Sequence, residues 1–191
     1  MTNPIPKEEN MAFPAHKEQS VTTEPRIYVA CLSAYNNGYL HGAWVDAYQD
    51  AWDIWTVVKT MLAASPMPDA EEWAIHDYEG FMGLRIEEYS SFETVSRLAA
   101  FVVEHGELGA ALAEHFGGDI DEAEQALADG YLGCHRSLAD YMQELTEETT
   151  TIPENLRFYI DWQAMAQDAE LSGDLFTIEM GFESVHVFAG R

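Results

Sequence analysis

Positive charge is what this sequence has least of. Only 9 Lys and Arg stand against 34 Asp and Glu in 191 residues, a formal balance of −25. A chain so poor in cations has no basic stripe with which to neutralise phosphates, so it is not expected to bind nucleic acid itself, and an acidic surface is repelled by anionic lipid. Cysteine is scarce too. Cys31 and Cys134 lie far apart and fit no metal or redox spacing, which leaves two reduced thiols as the expectation. No apolar run is long enough to span a bilayer and the first residues lack the apolar core of a signal peptide, so a cytoplasmic protein is expected. Walker loop, dinucleotide fingerprint and nucleophile elbow are all missing. The acidic stretch Asp119 to Glu124 lacks the alternating ligands and central glycine of a calcium loop. No catalytic residue, metal or cofactor is expected on these grounds.

What is present argues for a folded chain. Hydrophobic residues make up 47% of it, with 5 Trp, 9 Tyr and 9 Phe, whereas disordered acidic chains are poor in aromatics because they cannot offset the entropy of ordering. The charge is not confined to a tail. From Ile27 to Gly190, 30 acids stand against Lys59, Arg85, Arg97, Arg136 and Arg157, which places the whole net charge of −25 in that span. Met1 to Arg26 is nearly neutral, and residues 1–25, polar and proline-containing, read as a mobile extension.

Periodicity gives an α+β chain. Arg26 to Ser33 is β-branched and apolar, as expected of a strand, and Asn37-Gly38 marks a hairpin turn before a returning strand from His41 to Ala47. Trp52, Trp55, Val58 and Met61, with Ile54 and Leu62 beside them, recur at helical spacing behind Asp50 and Asp53. Glu72 to Tyr78 predicts a third strand. Ser90 and Glu93 fit a capping box for a helix with Val95, Leu98, Ala99 and Val102 inward, stopped by Gly106. Two more short helices follow, Leu108 to Phe116 and one capped at Asp119 that ends near Gly130. Tyr131 to Arg136 reads as a strand. Ser137 opens a helix with Leu138, Tyr141, Met142 and Leu145 inward. Pro153 precedes another, carrying Leu156, Tyr159, Ile160 and Met165 to Gly173, and Leu175 to Phe188 closes as a hairpin. The expected architecture is an elongated row of three small domains: a β-β-α-β lobe (26–86), a helical middle lobe (87–128) and a mixed C-terminal lobe (129–191).

One catalytic alternative is a small hydrolase using His76 with Asp77 or Glu79, although neighbours in a strand point to opposite faces. His105 and His115, each following a glutamate at a helix end, fit the favourable dipole there. A third reading is an acidic assembly factor or a salt-adapted protein. Against these stands the spread of carboxylates. Duplex DNA carries one charge per roughly 1.7 Å of axis, so 25 charges correspond to about 40 Å of duplex. The acids expected to form such an array are Asp46, Asp50, Asp53, Asp69, Glu71, Glu72, Asp77, Glu79, Glu87, Glu88, Glu93, Glu104, Glu107, Glu114, Asp119, Asp121, Glu122, Glu124 and Asp129. A basic DNA-binding groove is attracted to that surface and can process none of it.

Glu71-Glu-Trp-Ala-Ile-His-Asp-Tyr-Glu-Gly-Phe81 resembles the central signature of the ArdA antirestriction proteins carried by mobile elements. The resemblance extends to Arg26 to Ser33 with Asn36 to Trp44, to Ser137 to Tyr141 with Glu144, and to Tyr159-Ile-Asp161 through Gly173 to Glu179. It covers about residues 26–188. It implies an elongated homodimer of three small domains per chain that mimics bent B-form DNA, occupies the DNA-binding groove of type I restriction–modification enzymes, and inhibits restriction and often modification. It also implies an antirestriction motif on Tyr131, Gly133, Ser137, Asp140, Tyr141 and Glu144. Here His135 stands where an aromatic is expected, and Arg136 adds a positive charge.

Overall fold

The structure is a computed structural model that describes residues 24–190. Apart from its last two residues, the expected N-terminal extension lies outside the described residues.

Strand β1 (Arg26–Cys31) is the centre of a three-stranded antiparallel sheet, flanked by β2 (Gly42–Asp46) and β3 (Trp73–Glu79). Ile27, Val29 and Cys31 alternate onto one face and are fully buried, which is the period-two signature of a strand. The strand stops at Cys31 rather than Ser33. A short helix, α1 (Leu32–Asn36), intervenes, so Asn37-Gly38 turns the chain after a helix instead of closing a two-residue hairpin. Gly38 takes φ 82° there, a conformation glycine adopts without steric cost.

Helix α2 (Ala51–Ala63) packs on this sheet through Ile54, Val58, Met61 and Leu62. Trp52, expected inward, is 70% exposed. The buried stripe runs i, i+4, i+7, i+8 from Ile54, and Trp52 sits about 160° around the helix from its start. Helix α3 (Phe92–His115) begins one residue later than expected: the Thr94 N–H donates to Ser91 Oγ at 3.1 Å, so Ser91 is the cap and Ser90 is not. Its expected inward residues are buried, and it breaks at Gly106, as the sequence indicates. Helix α4 (Ile120–Gln125) starts at Asp119, whose carboxylate accepts from the Glu122 N–H at 3.1 Å, and runs into a π-helical turn over Ala126–Gly130.

The remaining elements are β4 (Tyr131–His135), α5 (Leu138–Thr149), α6 (Glu154–Arg157), α7 (Trp162–Ser172), β5 (Leu175–Gly181) and β6 (Ser184–Ala189). The three strands form a second antiparallel sheet in the order β4-β6-β5. The single helix expected between Pro153 and Gly173 is in fact α6 and α7. The Asp161 carboxylate caps α7 by accepting from the Ala164 N–H at 3.0 Å, which restarts the helix and leaves Leu156 and Tyr159 exposed rather than inward. On α5, Leu138 is buried, Tyr141 and Met142 are half-buried, and Leu145 faces solvent.

The chain is therefore α+β, with two small antiparallel sheets and helices packed on each. One apolar cluster runs from Ile27 and Val29 through α2 and α3 to Ile178 and Phe188. A second, small one joins Leu138 of α5, Ala166 of α7 and Val187 of β6.

Candidate acidic interface and the β4–α5 motif

Between Glu24 and Glu183 every Asp and Glu is exposed except Glu79 and Asp140, which are half-buried. No charged or polar residue is buried among the described residues. The expected array from Asp46 to Asp129 thus lies on the surface with the partial exception of Glu79. The acids of the last third, including Glu147, Glu154, Asp168, Glu170, Asp174 and Glu179, are exposed as well. Their density in the sequence is an equal signal for including them.

The few cations are already engaged. Among the described residues, Arg26 pairs with Glu79, Arg85 with Glu87, Arg97 with Asp121, Arg136 with Glu183 and Arg157 with Glu147. Lys59 lies over the rings of Trp52 and Trp55. The guanidinium pKa values of Arg97 and Arg136 are raised, first by their hydrogen bonds to Asp121 and Glu183. Exposed pairs of this kind add little stability, yet among the described residues they leave no cation projecting alone into the negative field.

Several acids also have local structural duties. Asp119 and Asp161 cap helices, Asp46 accepts from the Tyr48 N–H at 2.8 Å, and Asp77 accepts from the Tyr78 N–H at 2.8 Å. The side chains of Asp69, Glu71, Glu104, Glu107 and Asp129 make no hydrogen bond or ion pair among the described residues and are carboxylates held only by the backbone that carries them.

Four of the six motif residues, Ser137, Asp140, Tyr141 and Glu144, lie at the cap and in the first two turns of α5, and Tyr131 and Gly133 lie on the preceding strand β4. Ser137 is the N-cap: its Oγ accepts from the Asp140 N–H at 3.0 Å and donates to Asp140 Oδ2 at 2.9 Å. Tyr141 meets His135 edge-on, with ring centroids 4.9 Å apart, and Glu144 Oε2 lies 3.2 Å from His135 Nδ1. His135 thereby performs the packing of an aromatic and also holds the glutamate one helical turn further on. Gly133 takes φ 119° at an irregularity in the β4–β6 register, where an added Cβ would meet His135 Nε2 at 3.1 Å. Tyr131 reaches across the sheet, its hydroxyl 2.8 Å from His186 Nδ1 and its ring against Phe188. Burial raises the pKa of both Tyr131 and Tyr141 and lowers that of His186. The open groove beside this cluster, about 550 Å³, is lined by His135, Arg136, Asp140, Gln143, Glu144 and Glu183.

No comparable assembly forms around His76. Its ring lies edge-on to Tyr35, with centroids 4.7 Å apart, while Asp77 binds its neighbour's backbone and Glu79 binds Arg26. The three are not brought together as a catalytic group. His105 packs on Phe101 and His115 stacks on Phe176, so both serve as half-polar packing residues. No group of three potential metal ligands occurs among the described residues.

Compared with known protein families, the chain matches the family described as antirestriction protein (ArdA) over residues 27–184. A search among curated proteins finds no match.

Proposed function

Because the chain belongs to the ArdA family of antirestriction proteins, we propose that its exposed carboxylates take the place of DNA phosphates and occupy the DNA-binding groove of a type I restriction–modification enzyme. The inhibition is competitive occlusion with no chemistry, and it blocks restriction and modification alike because both need the same groove. One observation carries this reading. Along the described chain the acids face solvent, while every cation is paired with an acid or laid on an aromatic ring. A field of one sign, unneutralised and distributed, is what attracts a basic cleft and speeds its association.

The interface is the array from Asp46 to Asp129, extended by the acids of α5 to β6. The chain acts as a row of three lobes (26–86, 87–128 and 129–191) in a cytoplasmic homodimer, which doubles the length of duplex imitated. The six motif residues act by holding β4, α5 and β6 in one arrangement: Ser137 and Asp140 close the cap of α5, Tyr141 and Glu144 meet His135 of β4, and Tyr131 meets His186 of β6.

Competition tests it. Purified protein is titrated into a type I methyltransferase bound to labelled duplex, across a salt series. Displacement that weakens steeply with salt is the expected result; failure to displace DNA at any salt concentration overturns the reading.

A further inference from the structure

Aromatic rings gather on one edge of the acidic surface, where α2, β3 and α3 meet. Trp73 stacks on Phe92, with ring centroids 4.2 Å apart at 20°. Trp55 leans on both, at 6.1 Å from Trp73 and 5.7 Å from Phe92. Trp52 stands beside them at the surface, 70% exposed. Together with Ser91 and Glu93 they line an open groove of about 330 Å³. An exposed Trp at this position does not serve the core, whose stripe on α2 is Ile54, Val58, Met61 and Leu62.

We propose that this groove receives an arginine side chain of the basic partner, the guanidinium lying against the Trp52 and Trp55 rings with Glu93 at the rim. The partner's identity rests on the mimicry reading; the chemistry of the groove does not. Cations are drawn to the negative faces of indole rings, and arginine adds planar stacking that lysine lacks. The molecule already seats cations of both kinds on its indole rings. Lys59 Nζ lies 5.3 Å from the Trp52 ring centroid and 5.2 Å from that of Trp55, and Arg26 Cζ lies 4.8 Å from that of Trp44. Lys59 is not among the residues that line the groove. The surrounding field supplies the long-range attraction, and the rings supply a short-range contact that a phosphate backbone has no equivalent for. That contact makes the groove selective for arginine among the basic side chains.

The five tryptophans make this directly measurable. The full chain, with its indoles labelled, is titrated by NMR with a blocked tri-arginine peptide and, separately, with tri-lysine at the same ionic strength. The two carry equal charge, so the acidic field treats them alike. The expected result is that the Trp52, Trp55 and Trp73 indole signals shift with tri-arginine at least threefold more than with tri-lysine, while Trp162 does not move. Trp52→Ala, at an exposed position, is expected to reduce the arginine shifts at Trp55 and Trp73 to the lysine level with the rest of the spectrum unchanged. Equal shifts with both peptides, or uniform movement of all five indoles, would overturn the inference. In the duplex-displacement assay, Trp52→Ala is expected to raise the midpoint concentration about threefold to tenfold. Displacement by the unaltered chain with no difference in the variant rejects the groove while leaving the mimicry standing. No displacement by either rejects the mimicry, and the peptide titration still decides the groove.

Discussion

Ser137 shows how much one small side chain carries here. Its hydroxyl accepts from the Asp140 N–H and donates to the Asp140 carboxylate, closing a reciprocal cap at the point where β4 hands over to α5. Ser137→Ala removes both bonds and should cost about 1 kcal/mol, which for a chain of this size lowers the melting temperature by about 2–4 °C. Ser137→Thr keeps an oxygen in place and should restore most of it. If the motif works by holding the fold, inhibition measured below the melting range should follow the same order, with Thr close to wild type. Full stability with lost inhibition in either variant would instead mark Ser137 as a contact to the partner.

His186 makes a prediction about pH at the same scale. Burial lowers its pKa, so the folded chain favours the neutral ring, whose Nδ1 can accept from the Tyr131 hydroxyl at 2.8 Å. The folded state then binds fewer protons than the unfolded one, and stability rises with pH across this titration. The contribution is complete above the ordinary histidine value and is lost as pH falls through the lower folded value. Denaturant midpoints at pH 7.5 and pH 5 should therefore differ more for the natural chain than for His186→Asn, which keeps an acceptor but does not titrate. An identical pH response in both would show that His186 is not the group responsible.

At the scale of elements, Gly106 is the clearest hinge in the architecture. It holds φ 63° and ψ −149° inside α3, a region open essentially to glycine alone. Nothing lies within 4 Å of the position a Cβ would take, so the cost of Gly106→Ala is backbone strain rather than collision, about 1–3 kcal/mol. The bend also sets the angle between Glu93 and Glu104 on one side and Glu107 and Glu114 on the other. Thermal denaturation should show the loss, and DNA displacement should weaken beyond what the lost stability explains.

Local periodicity made most of these elements legible. The strands β1 and β3, the presence of helix α2, the break at Gly106 and the closing hairpin all follow from apolar spacing and glycine position. The failures have physical causes. Leu156, Tyr159 and Ile160 fit helical spacing but do not face a core, and the cap at Asp161 divides the helix that the spacing suggested. Trp52 is apolar and exposed, which no periodicity rule anticipates. The motif residues were legible as a set only through the family resemblance. The contact that explains Tyr131, to His186, joins residues 55 positions apart, a separation that local spacing cannot report.

For the whole molecule, what matters is which part of the negative field meets the partner. The stretch Asp119 to Glu124 is a poor place to ask, because Asp119 caps α4 and Asp121 pairs with Arg97; altering it changes stability along with charge. Asp69, Glu71 and Glu72 are a cleaner choice. All three are exposed, they precede β3, and their side chains make no hydrogen bond or ion pair among the described residues. Asp69 has φ 55°, which asparagine also tolerates, so Asp69→Asn with Glu71→Gln and Glu72→Gln preserves shape while removing three charges. An exposed carboxylate facing a guanidinium contributes about 1 kcal/mol or less. Each single change should then alter displacement about twofold to fivefold, and the triple change should weaken it by one to two orders of magnitude at low salt. The same change should flatten the salt dependence, since fewer charge contacts remain to be screened, and the curves of the natural and altered chains should converge near 1 M salt, where the Debye length is about 3 Å. A triple variant that displaces DNA as well as the natural chain across the whole series would place this segment off the interface and shift attention to the acids of α3 and of the second sheet.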